Sequence, residues 1–359
     1  MGSEMCIRDR SANGGTARPL VQVEDLRVKF VSRESTVQAV NGVSFAVNPG
    51  EVLCIIGESG SGKSVTMRAL IRLLPRRRAV ISGRMRAGEH DIMTLSERQL
   101  TDIRGSHIAM IFQEPMTALD PVYTIGEQIA ETVMRHEGCS RQAALDRALY
   151  LLQRVKVPSP ERRLKAYPHE LSGGLRQRAM IAVALSCRPA LLLADEPTTA
   201  LDATVQIQVL ILLRELQKEL GTSVIFVTHD LGVAAQVADT IAVMYAGRIV
   251  EYGSARDVLL APRHPYTIGM LASTVHGEMR DKDIEAIPGS PPDLRRLPPG
   301  CSFAPRCRHA VTACTTAVPG SLAVAPAHFA ACIRAGDIAA GMPQAMGAAP
   351  IEGAETALA

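Results

Sequence analysis

The chain has 359 residues, 47% of them hydrophobic and 21% charged, with a net charge of +3. This is the make-up of an ordinary globular protein with room for one large domain and an appendage, and the charge is too small to argue for a nucleic-acid partner. No apolar run is long enough to cross a bilayer and Met1 to Arg18 lacks the apolar core of a secretory signal, so a cytoplasmic chain is expected, with any membrane role supplied by partners.

The head, residues 1–18, fits no element and is read as disordered or extraneous. Val21 to Phe30 and Val37 to Val47 alternate like half-buried strands, and Asn48-Pro49-Gly50 turns the chain into the apolar run Val52 to Ile56. That run feeds Gly57-Glu58-Ser59-Gly60-Ser61-Gly62-Lys63-Ser64, after which Val65 to Leu70 starts a helix. A buried strand, a glycine-rich turn and a helix start suit a triphosphate, because the glycines let backbone N–H groups curl round the phosphates while the helix N-terminus faces them. Lys63 would reach the β- and γ-phosphates, and the Ser64 hydroxyl would hold Mg²⁺. Phe30 lies where a ring could stack on adenine, although a strand-face ring explains it equally well. Arg76-Arg77-Arg78 reads as a solvated turn.

Ile81 to Met93 predicts an edge hairpin, and His107 to Phe112 a strand that ends at Gln113. From about 124 to 170 the pattern is helical, with Ile125, Ile129 and Val133 on one face and Ala144, Leu145, Ala148, Leu151 and Leu152 on the next, broken by Pro158 and Pro160. This is a helical insert between two halves of a sheet domain. Leu171 to Arg178 opens a helix that reaches about Ser186, with Ser172 as N-cap. Leu191 to Asp195 is a short buried strand, Val205 to Leu220 a helix, Val224 to Val227 a strand followed by His229, and Ile241 to Met244 another strand. Such alternation predicts an α/β fold, a parallel sheet with its site along the C-terminal strand ends. Beyond Leu260, six prolines between Pro288 and Pro305 argue against strands and long helices, and residues 335–359 read as a disordered tail.

Four polar residues fall at those strand ends. Asp195 would hold Mg²⁺ through water, Glu196 would polarise the attacking water, Gln113 would touch Mg²⁺ or that water, and His229 would hydrogen-bond the γ-phosphate. Taken with Gly57 to Ser64, Leu171-Ser172-Gly173-Gly174 and Ala200-Leu201-Asp202, they make the chain resemble the nucleotide-binding subunits of ATP-binding cassette transporters over about Val21 to Leu260. The resemblance implies a phosphate-loop ATP-binding cassette over 19–260. Its parts are a RecA-like, mostly parallel sheet core, an antiparallel β subdomain and the helical insert. ATP and Mg²⁺ are the implied ligands, with Asp202 among the nucleotide contacts. Ser172, Gly173 and Gly174, at a helix start too far along the fold to reach the chain's own nucleotide, would present a second anion site to the γ-phosphate held by a partner subunit. Closure of such a pair over ATP would be passed to membrane partners through the insert near Gln113. Leu175, where many relatives carry Gln, lies outside the anion-contacting residues.

A narrower resemblance lies in residues 261–334. His264-Pro265-Tyr266-Thr267, Ile287-Pro288-Gly289-Ser290-Pro291-Pro292 and Cys301-Ser302-Phe303-Ala304-Pro305-Arg306-Cys307 look like the C-terminal extension of oligopeptide, dipeptide and nickel importer ATPases. It implies import of peptides or similar small solutes, with a second cassette subunit, two transmembrane permease subunits and a substrate-binding protein as partners. The chain would then sit on the cytoplasmic face of the bacterial inner membrane. A nickel or glutathione importer, an exporter, and a soluble cassette ATPase acting on nucleic acid or ribosomes are the alternatives. Of eight cysteines, Cys301, Cys307, Cys314 and Cys332 crowd the end with spacing C-x5-C-x6-C-x17-C and no C-x2-C knuckle. Thiolates there could fold the segment round a metal group. The resemblance implies a [4Fe–4S] cluster, with structural zinc or free thiols as alternatives and His309 and His328 as nearby substitutes.

Overall fold

The computed structural model describes residues 18–199, 201–273 and 286–339. The head before Arg18, Ala200 and the chain beyond Ala339 therefore lie outside the described residues. The strands are β1 (Val21–Val31), β2 (Thr36–Val47), β3 (Val52–Ile56), β4 (Ala79–Ala87), β5 (His90–Asp91), β6 (Ile108–Ile111), β7 (Leu191–Asp195), β8 (Ser223–Thr228), β9 (Thr240–Tyr245), β10 (Arg248–Ser254), β11 (Leu322–Ala325) and β12 (His328–Ala330). They form an antiparallel four-stranded sheet in the order β2-β1-β4-β5 and an eight-stranded sheet in the order β11-β12-β10-β9-β3-β8-β7-β6. The pairs from β6 through β7, β8 and β3 to β9 are all parallel.

β3 lies inside the large sheet and is buried along its whole length, as its unbroken apolar run requires. Its side chains alternate between two cores. Val52, Cys54 and Ile56 join the core shared with the insert helices, and Leu53 and Ile55 join the core under the antiparallel sheet. The loop that follows β3 thus leaves from a strand clamped on both faces. On the insert side, Thr124 and Glu127 form a capping box at the start of the Ile125–Glu137 helix, which ends at the left-handed Gly138. The Arg141–Arg154 helix packs Ala144, Ala148, Leu151 and Leu152 inward, while Leu145 is only half-buried.

The proline-rich end corrects one expectation. It does contain strands: β12 pairs antiparallel with β10, Glu251 opposite Ala330 and Tyr252 opposite Phe329, and β11 extends the sheet beyond it. β10 itself was not anticipated either. The reason is a buried polar joint. Glu251, 1% exposed, accepts hydrogen bonds from the backbone N–H groups of Arg263 (2.6 Å) and His264 (3.0 Å) and pairs with His328 Nε2 at 2.8 Å. Phe303 also packs into the core shared with the insert helices. The expected disordered tail begins instead with a helical turn, Ala335–Ala339. Among the described residues no helix is long and apolar enough to cross a membrane.

Candidate active site

The 57–64 loop is possible only with glycine at its close approaches. Gly57 and Gly62 have φ of +154° and +101°, and a Cβ on either would lie 2.1 Å from the Met244 carbonyl oxygen or 2.4 Å from that of Ala39. Lys63, 5% exposed, folds back so that Nζ donates to the carbonyl oxygens of Gly57 (2.7 Å) and Glu58 (2.9 Å). Burial pulls the Lys63 pKa down, and the carboxylates of Glu196, Asp195 and Glu58 pull it back up. The two carbonyl contacts hold Nζ in the mouth of the loop.

Next to it, Ser64 Oγ donates to Asp195 Oδ1 at 2.7 Å. Asp195 is fully buried at the end of β7, and its Oδ2 has no hydrogen-bond partner, with Arg68 Nη2 3.8 Å away. Burial raises the Asp195 pKa, and Ser64 and Arg68 oppose that. A lone carboxylate oxygen beside a hydroxyl is a hard-oxygen donor set, and it fits Mg²⁺.

β6, β7 and β8 are neighbours, so Gln113, Glu196 and His229 all emerge from the same sheet edge. Three groups converge on Glu196 Oε2: Thr199 Oγ1 at 2.9 Å, Gln113 Nε2 at 3.2 Å and His229 Nδ1 at 3.4 Å. Glu196 itself has φ +45°, a left-handed conformation rare for this residue type, and its N–H is tied to the Val227 carbonyl at 3.0 Å. Thr199 was missed from the sequence. Its only signal was a position three residues after Glu196, in the turn following the acidic strand.

Ser172 is the N-cap residue of the Gly173–Ala184 helix, yet its exposed side chain makes no capping bond. A Cβ on Gly173 would meet nothing nearer than Leu201 Cδ2 at 4.0 Å, whereas one on Gly174 would lie 2.8 Å from Val205 Cγ1. Among the described residues no hydrogen bond joins Ser172, Gly173 or Gly174 to the Lys63–Glu196 group. Asp202 caps the Ala203–Leu220 helix, accepting from Val205 N at 3.0 Å. Phe30 is half-buried against the core beneath the antiparallel sheet.

Cys301, Cys307, Cys314 and Cys332 line one small cavity with His264 and Phe303. Burial pushes the Cys307 thiol up to about 12 and the Cys332 thiol up to about 11, so both are protonated at neutral pH. Among the described residues no three His, Cys, Asp or Glu side chains form a group able to hold a metal ion. The four thiols are neighbours on one cavity and are not drawn together into a ligand set.

Comparison with known proteins agrees with this geometry. Residues 40–199 match the ABC transporter family, and residues 250–314 match the oligopeptide/dipeptide transporter C-terminal region. A putative peptide import ATP-binding protein of Brucella abortus is 49% identical over 335 residues, covering 90% of this chain and 99% of its own. The oligopeptide transport ATP-binding protein OppD of Salmonella typhimurium is 49% identical over 318 residues, covering 89% and 94%. Among solved structures, the post-hydrolysis dimer of the ATP-binding cassette MJ0796, bound to ADP and phosphate, matches with a TM-score of 0.59 and 29% identity over 66% of this chain and 99% of that one. A phosphate loop, an acidic strand end and the C-terminal region thus occur in one chain, and the chain belongs to the ATP-binding cassette transporter family as an ATP-binding subunit with the oligopeptide/dipeptide type of C-terminal region.

Proposed function

We propose that the chain hydrolyses ATP to drive import of peptides or similar small solutes. Lys63 and the loop N–H groups bind the phosphates, and Lys63 exchanges its carbonyl partners for phosphate oxygens as they arrive. Ser64 and Asp195 would hold Mg²⁺, which when bound neutralises charge on the phosphates. Glu196 takes the proton of the attacking water, while Gln113, Thr199 and His229 orient its carboxylate. The convergence of these three groups on one oxygen, a few residues from Lys63 and Ser64 in space, is the observation that carries the reading.

Ser172, with Gly173 and Gly174, serves the nucleotide of a second cassette subunit; the free Ser172 hydroxyl and the dimeric state of the solved relative support this. Met116, Val122 and Tyr123, exposed in the segment that follows Gln113, would receive two transmembrane permease subunits fed by a substrate-binding protein, with the chain on the cytoplasmic face of the membrane. The relatives named for peptide import favour that cargo. ATP-dependent uptake of labelled peptide by the reconstituted complex is the expected result. Uptake of nickel chelate or glutathione in its place would reassign the cargo.

We further propose that Cys301, Cys307, Cys314 and Cys332 hold a [4Fe–4S] cluster. The support is that all four line one cavity. Bound there, a cluster would cross-link residues 301–314 to Cys332 just beyond β12. Protein purified without oxygen is expected to be brown, with iron and acid-labile sulfide. A colourless protein with one bound zinc ion would establish the alternative, and a metal-free one would establish free thiols.

A further inference from the structure

Three motifs of the extension have no part in the chemistry above, yet two of them touch one residue of the phosphate loop and the third fixes one of those contacts. Tyr266, from the His264–Thr267 motif, accepts a hydrogen bond at its hydroxyl from the Glu58 backbone N–H at 2.8 Å. Arg306, from the Cys301–Cys307 motif, donates from Nη1 to Glu58 Oε2 at 2.9 Å. Pro288, from the Ile287–Pro292 motif, accepts from Arg306 Nε at 2.8 Å and so fixes the guanidinium.

The platform behind these contacts is rigid. Tyr245, Tyr266 and Phe303 are buried with ring centroids 4.6, 5.3 and 5.4 Å apart, and the Arg306 guanidinium lies 5.8 Å from the Tyr245 ring. The Arg306 and Glu58 side chains are 7% and 27% exposed, so the ion pair is shielded and removing one partner strands the other. Within the loop the Glu58 carbonyl accepts from the Ser61 N–H at 3.2 Å and has a further tie, to Lys63 Nζ. That tie is given up when Lys63 turns to a phosphate. The two ties to the extension then remain to hold residue 58, next to Gly57 where the loop leaves β3.

We propose that Arg306 and Tyr266 are positioning residues of the ATP site: the extension holds the phosphate loop in its binding shape, and nucleotide affinity depends on that hold. This rests on the reading that the loop binds ATP. Arg306 sits in the turn bracketed by Cys301 and Cys307, so whatever those cysteines carry bears on the same anchor.

The test uses the full chain, a fluorescent ATP analogue for equilibrium binding, and turnover at saturating ATP in the assembled complex. Arg306→Gln is expected to weaken binding about tenfold, equivalent to about 1.4 kcal/mol, with saturating turnover within about twofold of wild type. Glu58→Gln should weaken binding similarly, and the double variant should be no worse than either single one, because both remove the same contact. Arg306→Lys should recover part of the loss. Unchanged binding in Arg306→Gln, or single losses that add in the double variant, would overturn the proposal. Should Arg306→Gln fail to fold, Tyr266→Phe removes only the hydroxyl and is read in the same way: weaker binding with intact saturating turnover supports the anchor, and unchanged binding overturns it. Lys63→Ala is the control for the underlying site, since intact binding in that variant would refute the ATP site itself and not the anchor alone.

Discussion

Ser64 Oγ donates to one carboxylate oxygen of Asp195 at 2.7 Å, and the other oxygen, buried at the end of β7, has no hydrogen-bond partner. A lone buried carboxylate oxygen is costly, and its pKa is raised by burial. A cation bound there would offset that cost. Asp195→Asn is therefore expected to leave the nucleotide-free chain as stable as wild type, or more stable by about 1 kcal/mol, while abolishing the extra thermal stabilisation that Mg²⁺ adds to ATP. Melting curves with ATP, with and without Mg²⁺, check both halves of this.

Glu196 combines a left-handed backbone with a carboxylate held by three side chains. Glu196→Gln should keep ATP affinity within about twofold and slow single-turnover hydrolysis by about 10²–10⁴-fold. Glu196→Gly should be equally inactive, yet stabilise the nucleotide-free chain by about 0.5–1 kcal/mol by relieving the backbone. Denaturant melts beside the single-turnover assay would separate strain from chemistry.

His264 caps the Pro265–Ala272 helix, its Nδ1 accepting from Tyr266 N at 3.1 Å, and burial pulls its pKa down to about 3. The unfolded chain takes up a proton on this residue below about pH 6.5, and the folded chain does not until about pH 3. This term stabilises the fold fully above pH 6.5 and is lost as the pH falls towards 3. His264→Asn, which keeps an acceptor but cannot titrate, should show a shallower loss of stability across that window, by one proton's worth of slope. Denaturant melts at stepped pH measure it.

The Glu251–His328 pair seals the extension to the sheet at 2.8 Å, with both side chains at most 2% exposed. His328→Ala leaves Glu251 Oε1 with only the Arg263 N–H and the buried carboxylate without its ring partner, and should cost about 3 kcal/mol. The loss should appear in a denaturant melt, together with faster proteolysis between 261 and 334.

Much of this architecture was legible from local pattern. β3, β7 and β8 read as buried strands because every apolar residue in them joins one of two cores, and the insert helices carry their own caps and faces. β10 hid because Glu251, a carboxylate, occupies a core position whose partner His328 lies 77 residues away. β11 and β12, of four and three residues, carry too little periodicity to stand out among prolines. The strand-end residues were found from their order along the chain. The contacts of Thr199 with Glu196 and of Arg306 with Glu58 depend on loop geometry and on a 248-residue separation, neither of which leaves a local trace.

In the proposed function, Ser172 and Gly173 act on a nucleotide held by another subunit. Gly173→Asp tests this most directly, because residue 173 has space around it and the change should not disturb the fold. ATP turnover per chain is measured against concentration and assembly for wild type and variant. Wild-type turnover is expected to rise with assembly, and the variant to bind ATP normally as a single chain but to lose turnover in the complex by about 100-fold or more. Full turnover by a strict monomer, unaffected by Gly173→Asp, would contradict it.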